Sequence, residues 1–182
     1  MDIKNTEKKL KECFKTAKKE LESGNKHKGL LLMKPNQIAA EGFIKKAKTE
    51  LELCDIYKPR GLDYKIAEEW FYTLYYCALA ILSKFGIESR SQKYTTLFLR
   101  YIKYKNLIDY DDDFIDRIMV YRKKDEKSDV DEREEARYNF AIKIARIEER
   151  YEDMMNLCKE AISQCEEIVF SNEKLEIPKE LI

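Results

Sequence analysis

The sequence predicts an all-α protein, an up-and-down helical bundle of four to six helices that ends in a long C-terminal helix. No glycine or proline occurs from Ile87 to Ile177, so 91 residues run without a strong helix breaker. The whole chain holds five Gly and three Pro, too few for the many turns of a β-sandwich or β-barrel. Apolar residues recur every three or four positions, the spacing of one helix face. No repeat of fixed period occurs, which argues against a solenoid.

Composition and charge restrict the class of protein further. The chain has 182 residues, enough for one domain, and its 44% apolar content excludes wholesale disorder. Lys plus Arg and Asp plus Glu number 35 each, so the formal net charge is zero. The charge is nevertheless divided, with +8 over residues 1–110 and −8 over the remainder. The basic half can meet nucleic acid, or the halves can complement each other within the bundle or across a dimer, and we favour the second.

The use of cysteine and histidine indicates a reduced protein without a metal. No run of 18 apolar residues predicts a membrane span, and the N-terminus lacks the apolar core of a secretion signal, so we expect a cytoplasmic protein. The five cysteines lack zinc-knuckle spacing and His27 is the only histidine, so we expect buried thiols and neither metal nor cofactor. A cysteine–His27 nucleophile pair is the alternative. The many Lys and Glu residues are typical of a thermophile.

The breakers divide the first half of the chain into segments of helical length. The first predicted helix begins at Thr6, a candidate N-cap, and ends at Gly24. The apolar run at 30–33 fits either a helical turn or a docking loop. The second helix begins at Asn36, another candidate N-cap, and closes at 59–61, where Pro and Gly occur.

The next helices follow from a broad apolar stripe and from polar caps. The third helix spans 63–85, and its wide stripe is typical of a central helix that is buried on more than one side. Gly86 suits the left-handed residue after its end. The fourth helix begins at Ser89 or Ser91. The acids at 111–113 either start a fifth helix or bind a divalent cation, and we favour the helix start.

The C-terminal half combines a charged connection with a long helix. Twelve of the fourteen residues at 122–135 are charged, which predicts a solvated loop. An apolar stripe then runs through 131–170, a length of about 60 Å as one helix. The third helix would measure only about 35 Å on the same rule, so the last one bends, splits or overhangs toward a second subunit. The tail at 171–182 contains a proline, and we expect it to be loosely held.

Twelve tyrosines also stand out in the composition. Six of them have two readings, because a tyrosine ring stacks on nucleic-acid bases or packs with its ring buried and its hydroxyl wet. We favour packing, within the bundle or in a helical dimer interface. The six are Tyr72, Tyr75, Tyr76, Tyr94, Tyr101 and Tyr104.

The segment from Ile38 to Phe85 resembles the opening of HEPN domains, the "higher eukaryotes and prokaryotes nucleotide-binding" family. The helix IAAEGFIKKAKTELELCDIY precedes the aromatic WFYTLYYCALAILSKFGIESRS, which ends in a glycine before a polar turn, as in that family. The stretch from Ile115 to Cys165 is similar in layout, with a Tyr-Arg pair, a charged connection and a long final helix. The resemblance implies a HEPN-like helical bundle over 36–170, preceded by an N-terminal helical extension over 1–35 and followed by the tail.

The resemblance also implies which residues would act. Active members carry an Arg and a His a few residues apart at a helix end, and many are ribonucleases or toxins of toxin–antitoxin pairs. Arg122 matches the arginine, but the matching positions for the histidine hold Lys127, Ser128 and Asp129, so the catalytic histidine is absent. Should the chain be a nuclease, Arg122 and Asp129 are its candidate catalytic residues. Some small members instead associate with a nucleotidyltransferase, and Ser128-Asp129-Val130-Asp131 looks more like that variant.

Basic side chains around Arg122 are the candidate nucleotide- or RNA-binding residues, because guanidinium and ammonium groups suit phosphate oxygens. These residues are Arg122, Lys123, Lys124 and Lys127. Acidic residues are interleaved with them, so a solvated connection is the alternative. We expect a HEPN-like non-catalytic module that binds RNA, a nucleotide or a protein partner, forms a homodimer, and pairs with a nucleotidyltransferase in a toxin–antitoxin or defence system. A divergent HEPN ribonuclease and a structural helical adaptor are the alternatives.

Overall fold

The computed structural model describes residues 2–119 and 144–182, and in the second range the side chains from 147 onward. Over these residues the chain forms six α-helices and one two-stranded sheet, so the predicted all-α bundle with a long C-terminal helix is confirmed. The helices are α1 (Ile3–Glu22), α2 (Gln37–Tyr57), α3 (Asp63–Lys84), α4 (Gln92–Tyr104), α5 (Asp112–Arg117) and α6 (Ile144–Phe170), and the strands are β1 (Leu30–Leu32) and β2 (Ile87–Ser89). Two 3-10 turns cover Lys58–Arg60 and Lys179–Leu181.

Helix α3 lies at the centre of the bundle, as its broad apolar stripe predicts. It packs against α2 on one side and against α6 on another. Cys77, Ala78 and Ile81 of α3 are completely buried there. Burial on two sides removes more apolar surface from water than a single amphipathic stripe can, and this burial is the main stabilising contribution. Helix α6 measures about 40 Å over the part of the chain that is described.

The helix boundaries follow from capping side chains that are visible in the sequence. Asn36 accepts a hydrogen bond from the Ala39 amide at 2.9 Å, and Ser91 caps α4 in the same way. The Asp111 carboxylate accepts the Asp113 amide at 2.8 Å, so the acidic run starts α5 as favoured. The prediction for α1 was wrong by one turn. Asp2 is its N-cap, and Thr6 lies inside the helix with its hydroxyl bonded to the Asp2 carbonyl.

The apolar run at 30–33 is a strand and part of a connection, and neither a helical turn nor a docking loop. Strand β1 pairs antiparallel with β2, and Leu31 lies opposite Glu88. The Met33 amide extends the pairing by donating to the Gly86 carbonyl at 2.7 Å. Gly86 has a φ of 75°, and a Cβ at this position would lie 2.7 Å from the Met33 carbonyl oxygen. The chain therefore passes directly against the end of α3 before it enters α2.

Both ends of the chain are attached to the same core. Leu10 and Phe14 of α1 belong to the main hydrophobic cluster, and α1 packs on α4 and β1. The structure differs from the expectation of a loosely held tail, because Leu181 is only 2% exposed. The Tyr101 hydroxyl lies 2.8 Å from Glu7 and 2.9 Å from Glu180, so one side chain joins the two termini.

All five cysteines are buried free thiols, which confirms the predicted burial. Cys77 of α3 and Cys165 of α6 are in contact in the core, where the Cys165 thiol donates to the Cys77 carbonyl at 3.4 Å. Among the described helices, none is both long enough and apolar enough to cross a membrane.

Candidate binding surfaces

The site residues predicted from the family resemblance fall at 120–143, outside the described residues. They are Arg122, Lys123, Lys124, Lys127 and Asp129. The described chain before this segment carries two arginines that are already bonded to other side chains. Arg117 donates to Asp113 at 3.1 Å and to the Met154 sulfur at 3.3 Å, and Arg100 forms an ion pair with Asp116.

The outward face of α1 carries a row of lysines. Four lysines follow the helical spacing of one stripe, and all four are exposed: Lys4, Lys8, Lys11 and Lys15. The opposite side of the helix is the buried one, where Leu10 and Ala17 contact the core. This α1 lysine row extends over about 17 Å along the helix axis. An amphipathic helix that is docked on a core produces this arrangement, because its polar stripe has to face water.

The acids of α1 leave the α1 lysine row largely uncompensated. Glu7 turns toward the Tyr101 hydroxyl and Lys105, Glu20 accepts the Lys28 amide at 2.8 Å, and Glu22 lies 4.0 Å from Lys18. None of the four lysines in the row has an ion-pair partner within the part of the chain that is described. Glu12 is the remaining acid of the helix, and it is exposed beside the row. The face therefore retains excess positive charge.

One aromatic ring lies next to this basic face. Tyr94 of α4 is half-buried, and burial raises the pKa of its hydroxyl, with smaller contributions from nearby Cys13 and Glu12 of α1. The Lys93 ammonium lies 5.4 Å from the centre of the Tyr94 ring. Proteins that bind single-stranded nucleic acids combine basic side chains with aromatic rings on which bases stack, and a lysine row with an adjacent tyrosine resembles that combination.

A second surface runs along the groove between α2 and α3. Its members follow a seven-residue spacing on each helix, and most of them are partly exposed. On α3 they are Glu69, Tyr72, Tyr76, Leu79 and Ser83, and on α2 they are Ala39, Phe43, Lys46 and Glu50. We call this surface the α2–α3 seam. Such spacing places the side chains of each helix in a straight row, as in helices that pack against a further helix.

The centre of the α2–α3 seam is an aromatic stack. The Phe43 and Tyr76 ring centroids are 6.1 Å apart at an interplanar angle of 22°, and Tyr76 and Tyr72 are 5.9 Å apart at 26°. The Lys46 ammonium lies 5.5 Å from both the Phe43 and the Tyr76 centroids. The favoured packing of tyrosines is thus observed for Tyr72 and Tyr76.

Two tyrosines of α4 differ in how far they are buried. Tyr101 is completely buried, so it packs as favoured. Tyr104, three residues later, is 58% exposed and packs far less.

One end of the α2–α3 seam holds a pair of carboxyl groups. The Glu69 side chain is only 7% exposed and is hydrogen-bonded to Glu50. Burial, together with the bond to Glu50 and the charge of Glu50, raises the pKa of Glu69 from 4.5 to about 8. The raised pKa favours the protonated form of Glu69 at neutral pH, in which its carboxyl group donates to Glu50.

The opposite end of the seam opens into an apolar cavity of about 690 Å³. Its walls come from the β1–α2 connection, both seam helices and β2, and they include Met33, Lys34, Phe43, Leu79 and Ile87. Met33 is 54% exposed. Lys34 is exposed and has no ion-pair partner among the residues described.

The single histidine, His27, is bonded to Glu88 of strand β2 and not to a cysteine of the described chain. The buried His27 places Nε2 3.1 Å from Glu88 Oε1, while Cys13 accepts the Leu30 amide at 3.2 Å. Burial raises the pKa of the Cys13 thiol, which disfavours the reactive thiolate. Within the described chain, no group of three or more His, Cys, Asp or Glu side chains is placed to hold a metal ion.

The sequence indicated the basic face of α1 in outline but gave no indication of the α2–α3 seam. The excess of basic residues over 1–60 pointed to a basic N-terminal face, although no lysine row was identified. The Glu50–Glu69 pair gave no signal, because a glutamate in a helix is normally a solvated residue. Its seven-residue register with Tyr76 and Ser83 was the available clue.

The chain was also compared with known proteins, and these comparisons identify no relative. No protein-family model, no curated protein and no solved structure matches it.

Proposed function

We propose that this protein is a HEPN-like, non-catalytic module that binds RNA through the α1 lysine row. The observation that supports the proposal is the excess positive charge of that face. Its lysines point to solvent without ion pairs within the described chain, while two acids of the same helix turn to Tyr101 and to the Lys28 amide. A positively charged face of this kind attracts a polyanion from a distance. Binding is then favoured because the polyanion releases counterions into solution.

An RNA backbone fits this face better than a small anion does. The four lysines form a line of about 17 Å along a shallow depression whose lining also includes Glu7 and Glu12, and such a line matches a series of phosphates. The half-buried Tyr94 ring beside the row offers a stacking platform for a base. A lipid surface fits less well, because the apolar side of α1 is already buried in the bundle.

The sequence favours a non-catalytic role over RNA cleavage. The histidine expected after Arg122 is absent, and the single histidine of the chain is buried beside Glu88. A side chain that exchanges protons near neutral pH is therefore missing from the family position. The family resemblance further suggests a homodimer and a nucleotidyltransferase partner in a toxin–antitoxin or defence pair. The five buried free thiols suit a reducing cytoplasm.

Fluorescence anisotropy with a labelled single-stranded RNA tests the proposal. Four contacts predict that log K falls with log salt at a slope of about −2.8, which is about 50-fold weaker binding at 200 mM than at 50 mM salt. The variant with Lys4, Lys8, Lys11 and Lys15 all changed to Gln should lose most of this slope. A matched control changes four exposed lysines elsewhere to Gln: Lys45, Lys159, Lys174 and Lys179.

Two outcomes would contradict the proposal in different ways. Cleavage of the RNA that Arg122→Ala abolishes would establish the divergent ribonuclease, with Asp129→Asn as the next variant to assay. Binding that is absent at 50 mM salt, or equally weak in the row variant and the control, would leave the structural adaptor. Circular dichroism of each variant verifies that the helices are intact.

A further inference from the structure

We propose that the apolar cavity formed by the β1–α2 connection, β2 and the adjoining parts of α2 and α3 binds a medium-chain fatty acid, a small molecule with an apolar body and one anionic group. Lys34 at the rim of the cavity binds the carboxylate, and the apolar walls cover the chain. The cavity shares no residue with the α1 lysine row, so this inference does not depend on the proposed RNA binding.

The cavity has the size and the walls of a small-molecule site. Its volume is about 690 Å³, within the range of about 300–1,000 Å³ that is typical of such sites. Phe43 of α2, Leu79 of α3 and Ile87 of β2 line it. Leu32 and Met33 belong to the same lining but are 40% and 54% exposed, so much of their apolar surface is in contact with water. A ligand chain that covers this surface is bound by the hydrophobic effect.

Backbone hydrogen bonds hold the walls of the cavity in place. The Met33 amide donates to the Gly86 carbonyl at 2.7 Å, and the Asn36 amide donates to the Ser83 carbonyl at 3.0 Å. These two bonds attach the β1–α2 connection to the end of α3 at two points. Because the walls are already formed, little conformational entropy is lost when a ligand binds, and this favours affinity for a small molecule.

The charges around the cavity favour an anion. Lys34 and Glu88 are the charged residues of the described lining. Glu88 already has partners, because its Oε1 lies 2.9 Å from Arg90 Nε and 3.1 Å from His27 Nε2. Lys34 is exposed and has no ion-pair partner within the described chain. Lys46 adds a second ammonium group beside the aromatic wall, so positive charge exceeds negative charge here.

The hydroxyl groups of the lining favour a ligand with a single polar end. The Ser83 hydroxyl donates to the Leu79 carbonyl at 2.9 Å, and the Ser89 hydroxyl is bonded to the Thr95 hydroxyl at 2.6 Å. Both groups are thus already bonded within the protein. A ligand with many hydroxyl or amide groups would lose hydrogen bonds to water without replacing them, whereas an aliphatic carboxylate loses none along its chain.

Titration of the isotope-labelled full chain with octanoate at low salt tests the inference, with the amide shifts followed by NMR. Octanol and octylammonium carry the same apolar chain with a neutral or a positive end. Octanoate should bind about fivefold more tightly than octanol because of its ion pair with Lys34, and octylammonium should bind most weakly. The largest shifts should lie at Met33, Ala39 and Ile87, whereas the amides of the α1 lysine row should not move.

Two pairs of variants assign the binding to the cavity. Lys34→Gln should weaken octanoate about fivefold and leave octanol unchanged, since it removes the charge alone. Lys45→Gln, at an exposed position of α2 outside the cavity, is its control and should bind like the wild type. Ala39→Trp fills the cavity from its wall and should weaken both ligands at least tenfold, because their chains are no longer buried there. Ile38→Trp, at the adjacent position that is 83% exposed, is the matched control.

Three outcomes would overturn the inference. Amides around the cavity that do not shift at about 3 mM octanoate rule out the site. Equal affinities of the wild type for octanoate and octanol exclude selection of an anion by Lys34. Unchanged octanoate binding by Ala39→Trp, with its helices intact by circular dichroism, places the ligand elsewhere. If Ala39→Trp fails to fold, the comparison of octanoate with octanol in Lys34→Gln decides the outcome. RNA binding is measured separately by anisotropy, and its absence leaves this site unaffected.

Discussion

The α1 lysine row and the α2–α3 seam both face solvent, but their ionisable groups differ in how far they are exposed to water. On α1 two carboxylates are hydrogen-bonded to groups outside the row, and the lysines of the row remain hydrated. In the seam one carboxyl group leaves water and shares a proton with its neighbour. Hydrated charges act at long range and are screened by salt, whereas a desolvated acid responds to pH. The two surfaces should therefore be separable by conditions as well as by mutation.

The largest expected effect separates the surfaces by function. Changing Lys8, Lys11 and Lys15 to Glu reverses the charge of the row, and we expect RNA affinity at 50 mM salt to fall at least 100-fold. The free energy of unfolding should stay within about 0.5 kcal/mol of the wild type, because all three lysines are exposed. Anisotropy measures the RNA affinity and urea unfolding measures the stability. An affinity within twofold of the wild type would show that the row does not bind RNA.

The next effect concerns the pH dependence of stability. The folded pKa of Glu69 is about 8, above its ordinary 4.5, so the folded state holds a proton that the unfolded state releases. The free energy of unfolding should therefore fall as pH rises from about 4.5 to 8, and the stabilisation is complete only below that window. The fall in unfolding free energy with pH should be smaller in Glu69→Gln than in the wild type, by on the order of 1 kcal/mol. The difference is no larger because water around the half-exposed Glu50 screens the pair.

Urea unfolding at pH 5.5, 7 and 8.5 measures this difference between the wild type and Glu69→Gln. The two curves of stability against pH should diverge toward alkaline pH, with the variant the more stable at pH 8.5. Glu52→Gln, an exposed change on the same helix as Glu50, is the control and should parallel the wild type. Parallel curves for Glu69→Gln would show that Glu69 is ionised in the folded protein.

A smaller effect tests how α1 is held. Tyr101→Phe removes the hydroxyl that lies between Glu7 and Glu180, and hydrogen bonds to charged groups contribute about 1.5–3 kcal/mol. We expect a loss of about 1.5 kcal/mol in the free energy of unfolding. Tyr104→Phe on the same helix removes an exposed hydroxyl and should change stability by less than about 0.5 kcal/mol. Equal effects in thermal unfolding would mean that Tyr101 does not anchor the termini.

The smallest effect concerns the cation above the aromatic stack. Lys46→Ala removes the ammonium that faces the Phe43 and Tyr76 rings, and exposed contacts of this type contribute about 0.5–1 kcal/mol. Lys45→Ala on an exposed neighbouring position is the matched control and should be neutral. Chemical denaturation resolves this difference when the slopes of the two curves agree. A neutral Lys46→Ala would indicate that the stack depends on the rings alone.

The local signals in the sequence were sufficient for most of the helices. Asn36, Ser91 and Asp111 cap the helices that they were expected to start, because a cap depends on one side chain and the nearest amides. Gly61 and Gly86 adopt the positive φ that ends a helix. The centrality of α3 was also predictable, since the width of an apolar stripe reports how many sides are buried.

The remaining features depend on contacts between distant parts of the chain. Three-residue strands are too short to show an alternation of apolar and polar residues, so the sequence at 30–33 did not predict pairing with 87–89. Leu181 is buried because the folded core offers it a place, which the composition of the tail cannot reveal. The acidic pair of the seam required the register of α2 against α3, and that register is a property of the packed helices.

The two-stranded sheet has a consequence for the order of folding. Leu31 and Glu88 are 57 positions apart, and the chain between them contains both α2 and α3. Closing so long a loop costs entropy that two three-residue strands cannot offset alone, so the strands should pair only after the helical hairpin has shortened the distance. The Met33 amide, bonded to the Gly86 carbonyl, then exchanges its hydrogen at a rate that reports whether the hairpin is closed.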